Sequence, residues 1–185
     1  MAILIRKLND TCHRALSAAA ILCRQKNNHC VELSHFLIHL LNDPTSDIET
    51  ILRIYEMDIR LIIAQLSAAI ERLPDGNYAP CPYSKHIFML LERAWLISSL
   101  DFDEPSIRSG AILLALIDDD PLRGISLENC PLLLRIPRHR LRQEITTLLS
   151  QSREMLQQHD AVTDMHTVLK TRDDTITVKT TSESL

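Results

Sequence analysis

The chain has 185 residues, of which 45% are hydrophobic and 24% charged, and a formal net charge of −4. That length suits one domain with a sizeable core, and the acidic balance excludes a global electrostatic pull towards nucleic acid or an anionic membrane. Three glycines, 4% aromatics and abundant Leu, Ile and Ala point to an all-α fold.

At the N-terminus, Ala15 to Cys23 follows Arg6 and Lys7 and superficially resembles a secretion signal. His13 and Arg14 interrupt the apolar region, however, so it reads as an alanine-rich helix face. Leu8, Cys12, Ala15, Ala19 and Leu22 recur at helical spacing and predict a first helix over roughly residues 3–25. A short apolar helix is expected from Leu33 to Leu41, stopped by Asn42-Asp43-Pro44. Ser46 precedes Glu49 by the spacing of a capping box and starts a third helix with Ile48, Ile51, Leu52 and Tyr55 on its apolar face. Asp58 caps a fourth, whose stripe is Ile59, Ile62, Ile63, Leu66, Ile70 and Leu73. Pro74-Asp75-Gly76 and the Pro-rich Tyr78–Tyr83 segment form a linker. A long helix restarts near Ser84, carrying Ile87, Phe88, Leu91 and Trp95, and a second apolar helix spans Ser106–Asp118. Asp119-Asp120-Pro121 breaks it, Leu122–Ile136 reads as less regular, and Pro137 opens a last helix with Leu141, Ile145, Leu148 and Leu149. Thr163 to Leu185 is rich in Thr, Ser, Asp and Lys, and reads as a linker or tail.

The halves of this pattern repeat. Val31–Leu41 recurs 76 residues later as Ile107–Ile117, and at the same offset Ala18 falls on Ala94 and Ile21 on Ile97. Downstream, Ile54, Ile62, Leu66, Ala69 and Ile70 fall on Leu133, Leu141, Ile145, Leu148 and Leu149, 79 residues on. A three-residue insertion near Pro121 accounts for the change. The expected architecture is therefore one pseudo-twofold domain over residues 1–157, with four-helix units at about 8–75 and 84–152, followed by a tail over 158–185.

Chemistry is sparse. Five cysteines (Cys12, Cys23, Cys30, Cys81, Cys130) are odd in number with no C-x-x-C, which fits reduced thiols of a cytosolic protein better than a disulfide framework. His35 and His39, four apart with Cys30 nearby, have zinc-ligand spacing, but the other copy places Ala111 and Ala115 there, so the packing reading is preferred and no metal is expected. Arg135, Arg138, His139, Arg140 and Arg142 form a basic cluster that could touch phosphates; without interleaved aromatics it reads as a solvated face. No nucleophile–base arrangement stands out, and Gly76, Gly110 and Gly124 build no Walker A loop, so neither ATP hydrolysis by that route nor a cofactor is expected of this chain. The longest apolar run, Ala111 to Ile117, is too short to span a bilayer. More informative is the apolar N-terminus. Ile3, Leu4, Ile5 and Leu8 crowd a position that is usually polar unless docked. With Cys12 and Phe88 they are the candidate lining of a groove for an amphipathic helix, the alternative being an extension that merely packs on the body.

Two four-helix units with a short Val31-x-x-x-His35-Phe36-Leu37 helix second resemble the Clp N-terminal repeat domain of AAA+ unfoldases. The likeness covers about residues 5–150. His35-Phe36-Leu37 stands where that family shows Glu-His-Leu-Leu, and Met57-Asp58 where it shows Gly-Val-Asp; Ser34 departs from its acidic residue. Asp43-x-x-Ser46-Asp47-Ile48, Ala94-Trp95-x-x-Ser98-Ser99 and Ile107-Arg108-Ser109-Gly110 are similar to the ClpV branch, which serves type VI secretion. The resemblance implies a non-catalytic, bacterial cytoplasmic recognition domain. Its partner would be an amphipathic N-terminal helix of the sheath subunit, and AAA+ rings elsewhere in the parent would supply the disassembly. Two alternatives are the N-domain of a general Clp disaggregase, taking adaptors or unfolded segments, and a stand-alone regulator binding nucleic acid through Arg135–Arg142.

Overall fold

Asn9 decides where the first long helix begins. In the computed structural model, which describes residues 2–76, 81–150 and 152–154, its side chain accepts a hydrogen bond from Cys12 N at 2.9 Å and caps the helix Asp10–Gln25. The expected helix over 3–25 is thus two: a single turn, α1 (Ala2–Ile5), and α2 (Asp10–Gln25). The break has a tertiary cause. Asn9 N donates to Ile107 O at 3.0 Å and Ile107 N to Lys7 O at 2.6 Å, so the chain between the helices is held extended by the other repeat.

Repeat one continues with α3 (Leu33–Leu41), α4 (Asp47–Ile54) and α5 (Ile59–Glu71), capped by Ser46 and Asp58 as their spacing predicted. Repeat two holds α6 (Lys85–Leu96), α7 (Ser109–Asp118), α8 (Asp120–Asn129) and α9 (Arg138–Ser150). Leu122–Ile136 is more ordered than its composition suggested: it carries α8, with Pro121 in its first turn, and a 3-10 helix over Pro131–Arg135. Among the described residues there are helices and isolated β-bridges, as an all-α duplication requires. The tail over 158–185 lies outside them.

The burial pattern corrects the register of the duplication. Cys12, Ala15, Leu16, Ala19 and Cys23 are buried in α2, and Ile87, Leu90, Leu91, Ala94 and Ser98 are buried 75 residues on, so Ala19 rather than Ala18 matches Ala94. Asn9 and Ser84, both N-caps, keep the same offset. The extra residue that restores 76 by Val31 and Ile107 lies where α6 widens into a π-helical turn, Ile97–Asp101. A π-turn is how a helix accommodates one inserted residue. Further on, Leu133 is buried in the 3-10 segment whereas Ile54 is exposed, so these two are not structural equivalents; that segment holds the insertion.

α3 and α7 are apolar almost all round and lie at the centre, each packed by the first helix of its own repeat. The repeats also exchange backbone. Val31, before α3, pairs with Tyr83, before α6, while Leu8, before α2, pairs with Ile107, before α7. Each repeat's entry strand therefore leans on the other, and α4 packs on α7 across the boundary.

That boundary is tight at Gly110. A Cβ there would stand 2.3 Å from Leu149 Cδ2 and 3.2 Å from both Cβ and Oδ2 of Asp47. Gly110→Ala is accordingly expected to cost about 1–3 kcal/mol, the range for overpacking a filled core. Chemical denaturation of the variant should show the midpoint falling at unchanged slope.

Candidate functional site

The apolar extension docks on repeat two. α1 lies against α6, with Leu4 and Ile5 half-buried on the core and Ile3 75% exposed. Lys7 places its Nζ 4.4 Å from the centroid of the Trp95 ring, a cation–π contact that fixes the stem of the extension to α6. Phe88 stands two turns before Trp95 on α6 and is 37% exposed.

The six candidate groove residues therefore separate by depth. Ile3 and Phe88 are open, Leu4 and Ile5 are half-covered on the core, and Leu8 (8% exposed) and Cys12 (0%) lie inside it. Only the first four keep apolar surface accessible. Burial pushes the Cys12 thiol well above its ordinary range, with Glu154 and Asp47 adding to the effect, which fits a packing role. Lys7 and Trp95 were missed as a pair, although Trp95 is the single tryptophan of the chain.

The foot of the extension is anchored in a buried polar cluster. Arg108, 1% exposed, donates from Nε to Asp47 Oδ2 at 3.1 Å and from Nη2 to Asp47 Oδ1 at 2.9 Å. It also donates to Leu149 O at 3.2 Å, Ser152 Oγ at 3.0 Å and Glu104 Oε1 at 3.3 Å. Burial works against its charge, but the bonds and charge of Asp47, with Glu154 and Glu104, more than offset this and raise its pKa. Beside it, Glu154 accepts from Asn9 Nδ2 at 2.6 Å, Asp47 N at 2.7 Å and Ser109 N at 2.9 Å, and from the Ser109 hydroxyl. One carboxylate thus satisfies the first amides of α4 and α7 together. Burial raises the Glu154 pKa, the nearby Asp47 carboxylate adds to this, and the Ser109 hydrogen bonds oppose it.

His35 is a structural residue. Its Nδ1 accepts from Glu32 N at 3.1 Å, so Nε2 carries the hydrogen and donates to Asn28 Oδ1 at 3.0 Å. Both ring nitrogens are engaged, and among the described residues no group of three or more His, Cys, Asp or Glu is placed to hold a metal ion. Burial lowers the pKa of His35, while Glu32 opposes the shift, and burial lowers that of His39 too. The fold therefore prefers neutral His35. Its contribution is present above the unfolded value of about 6.5 and is lost as pH falls through the lower folded value. The stability gap between wild type and His35→Gln should accordingly shrink in urea titrations run below pH ~6.5. A gap that widened there would contradict the neutral, doubly bonded ring.

The basic cluster is largely neutralised in place. Arg138 pairs with Asp120 at 3.0 Å and Asp118 at 3.4 Å, Arg140 with Glu144 at 3.0 Å, and Arg142 with Asp118 at 2.5 Å and Asp101 at 3.0 Å. This removes most of the field that phosphate binding would need. Among the described residues, no helix is long and apolar enough to cross a membrane.

The family described as the Clp repeat (R) N-terminal domain matches residues 7–128. Chaperone protein ClpB of Yersinia enterocolitica is 32% identical over 161 residues, covering 87% of this chain and 18% of its own length. AAA+ ATPase ClpV1 of Pseudomonas aeruginosa is 33% identical over 129 residues, covering 68% of this chain and 14% of its own. The chain thus spans less than a fifth of the length of these curated relatives. A solved complex of a ClpV N-domain with a VipB peptide aligns with a TM-score of 0.67 at 31% identity, over 83% of this chain and 93% of that one.

Proposed function

This chain belongs to the Clp repeat N-terminal domain family, and on that premise we propose that it is the partner-recognition domain of a ClpV-like AAA+ unfoldase. It binds an amphipathic N-terminal helix of the type VI secretion sheath subunit and presents it for disassembly. The observation that carries this reading is the likeness to a ClpV N-domain solved with a bound peptide. The incompletely covered apolar side chains of α1 and α6 support it, because Ile3, Leu4, Ile5 and Phe88 offer anchors to a partner helix. The domain itself carries no catalysis; hydrolysis belongs to the rings of the parent, and the setting is the bacterial cytoplasm.

Burial of a few anchors at ~1.5–3 kcal/mol each, less ordering costs, gives micromolar binding. Such weak capture suits a machine that releases and rebinds, with avidity in a ring supplying the rest. Fluorescence anisotropy with a labelled peptide from the sheath subunit's N-terminus tests the reading against an unfolded casein-like substrate. Micromolar binding of the sheath peptide alone supports it, whereas no binding at millimolar peptide ends it. The longer match to ClpB favours a second reading, the N-domain of a general disaggregase. That reading predicts the reverse preference.

A further inference from the structure

Beyond the anchors themselves, the structure points to how their order is controlled. We propose that Glu154 is a latch that couples the segment following α9, the exit segment 152–154, to the N-terminal extension, so that its docking sets the affinity of the α1/α6 seam. The inference deepens the binding role proposed above and rests on that reading for its functional half.

The geometry that carries it is the convergence of the starts of three helices, α2, α4 and α7, on one buried side chain. Glu154 is 1% exposed and lies four residues beyond the end of α9. Its Oε1 accepts from Asn9 and Ser109 N, and its Oε2 from Asp47 N and the Ser109 hydroxyl. Ser152, two residues earlier, is bonded to both Arg108 and Asp47. The exit segment therefore touches both repeats.

Asn9 is the mechanical link. Its Oδ1 caps α2 through Cys12 N, its Nδ2 is held by Glu154, and its backbone pairs with Ile107, two residues before Ser109. α1 is only one turn long and has little stability of its own. Its position depends on Leu4 and Ile5, on Lys7 over Trp95, and on the pairing that Asn9 and Ile107 make. When the exit segment leaves, Asn9 Nδ2 and the amides of Asp47 and Ser109 lose their acceptor. Buried donors without acceptors are costly, so the surrounding chain opens to find water. The pairing with Ile107 is an isolated bridge next to Asn9, and α1 goes with it. Release of residues 152–154 is thereby felt at the α1/α6 seam.

The test uses the full 185-residue chain. In Glu154→Ala, amides of Leu8, Asn9 and Ile107 should exchange about tenfold faster or more, while those of Ile62–Ile70 in α5 keep wild-type rates. Affinity for the labelled sheath peptide should fall about tenfold, because the seam must then be ordered on binding. Should Glu154→Ala not fold, Glu154→Asp, which keeps the charge but shortens the reach, carries both measurements. Unchanged exchange at Leu8, Asn9 and Ile107 overturns the coupling, and so does uniform acceleration extending across α5. If the peptide binds neither wild type nor variant, the binding role fails while the exchange arm still decides the latch.

Discussion

Arg108→Ala should lower the stability of the domain by about 3–5 kcal/mol, the cost of removing one partner from a buried ion pair. The loss is not that of a surface bridge. Asp47 and Arg108 are both almost wholly buried, with their bonds arranged side by side on one carboxylate. Alanine would leave the Asp47 and Glu154 carboxylates as neighbouring buried charges, and it would free Leu149 O and Ser152 Oγ from their shared donor. For a domain of this size the shift is roughly 2–4 °C in Tm per kcal/mol, so a fall on the order of 10 °C is expected by calorimetry. Lysine should rescue little, because a single ammonium cannot reproduce the planar fork. A double-mutant cycle with Asp47→Leu separates pair energy from cavity cost. If Arg108→Met with Asp47→Leu recovers most of the stability, specificity rather than energy is what the pair supplies. A fall in Tm of a degree or less for Arg108→Ala would mean that the pair is solvated in solution.

The second large effect is functional. Phe88→Asp should weaken binding of the sheath peptide by about 10- to 100-fold, since an apolar anchor is worth ~1.5–3 kcal/mol and a charge in the seam opposes the replacement helix contacts. Ile3→Asp should act in the same direction, more weakly if its contact lies at the rim. Neither side chain is fully buried in the free domain, so stability should change by no more than about 1 kcal/mol. Cys12→Ser, by contrast, should disturb folding rather than docking, because Cys12 lies wholly inside the body. Isothermal titration beside urea unfolding separates the two kinds of residue. Wild-type affinity in both Phe88→Asp and Ile3→Asp would place the partner elsewhere on the surface.

The reading of His35 shows why comparison between repeats was worth more than motif spacing. Two histidines four apart on a helix have ligand geometry in any sequence. Ala111 and Ala115 in the matching positions show that the unit folds without such groups, and the hydrogen bonds of His35 to Glu32 and Asn28 show what the ring does instead. The register was harder. Matching Ala18 to Ala94 looked as good as matching Ala19, because alanine runs through residues 18–20 of α2. Burial and the matching N-caps Asn9 and Ser84 separate them, and the π-turn at Ile97–Asp101 accounts for the extra residue. Leu122–Ile136 misled for a related reason. Its weak apolar spacing reflects a helix packed along a narrow face and then a 3-10 turn, and neither gives a 3.6-residue stripe.

Local chemistry was enough to determine the all-α class, the duplication, and the starts of α3, α4, α5 and α6. Caps, prolines and apolar spacing act within a few residues, so they are written in the order in which they work. The docking of the apolar N-terminus on the body was also legible in outline, because isoleucine and leucine there demand a surface to cover them. Which of those residues remain open was decided only by the tertiary structure. The break before Asn9 depends on Ile107, the tether at Lys7 on Trp95, and the buried carboxylate of Glu154 on groups from both repeats. Each partner is separated in sequence by most of a repeat or more. Such contacts form because duplication brings two similar units face to face, and no periodicity along either unit records what the other one offers.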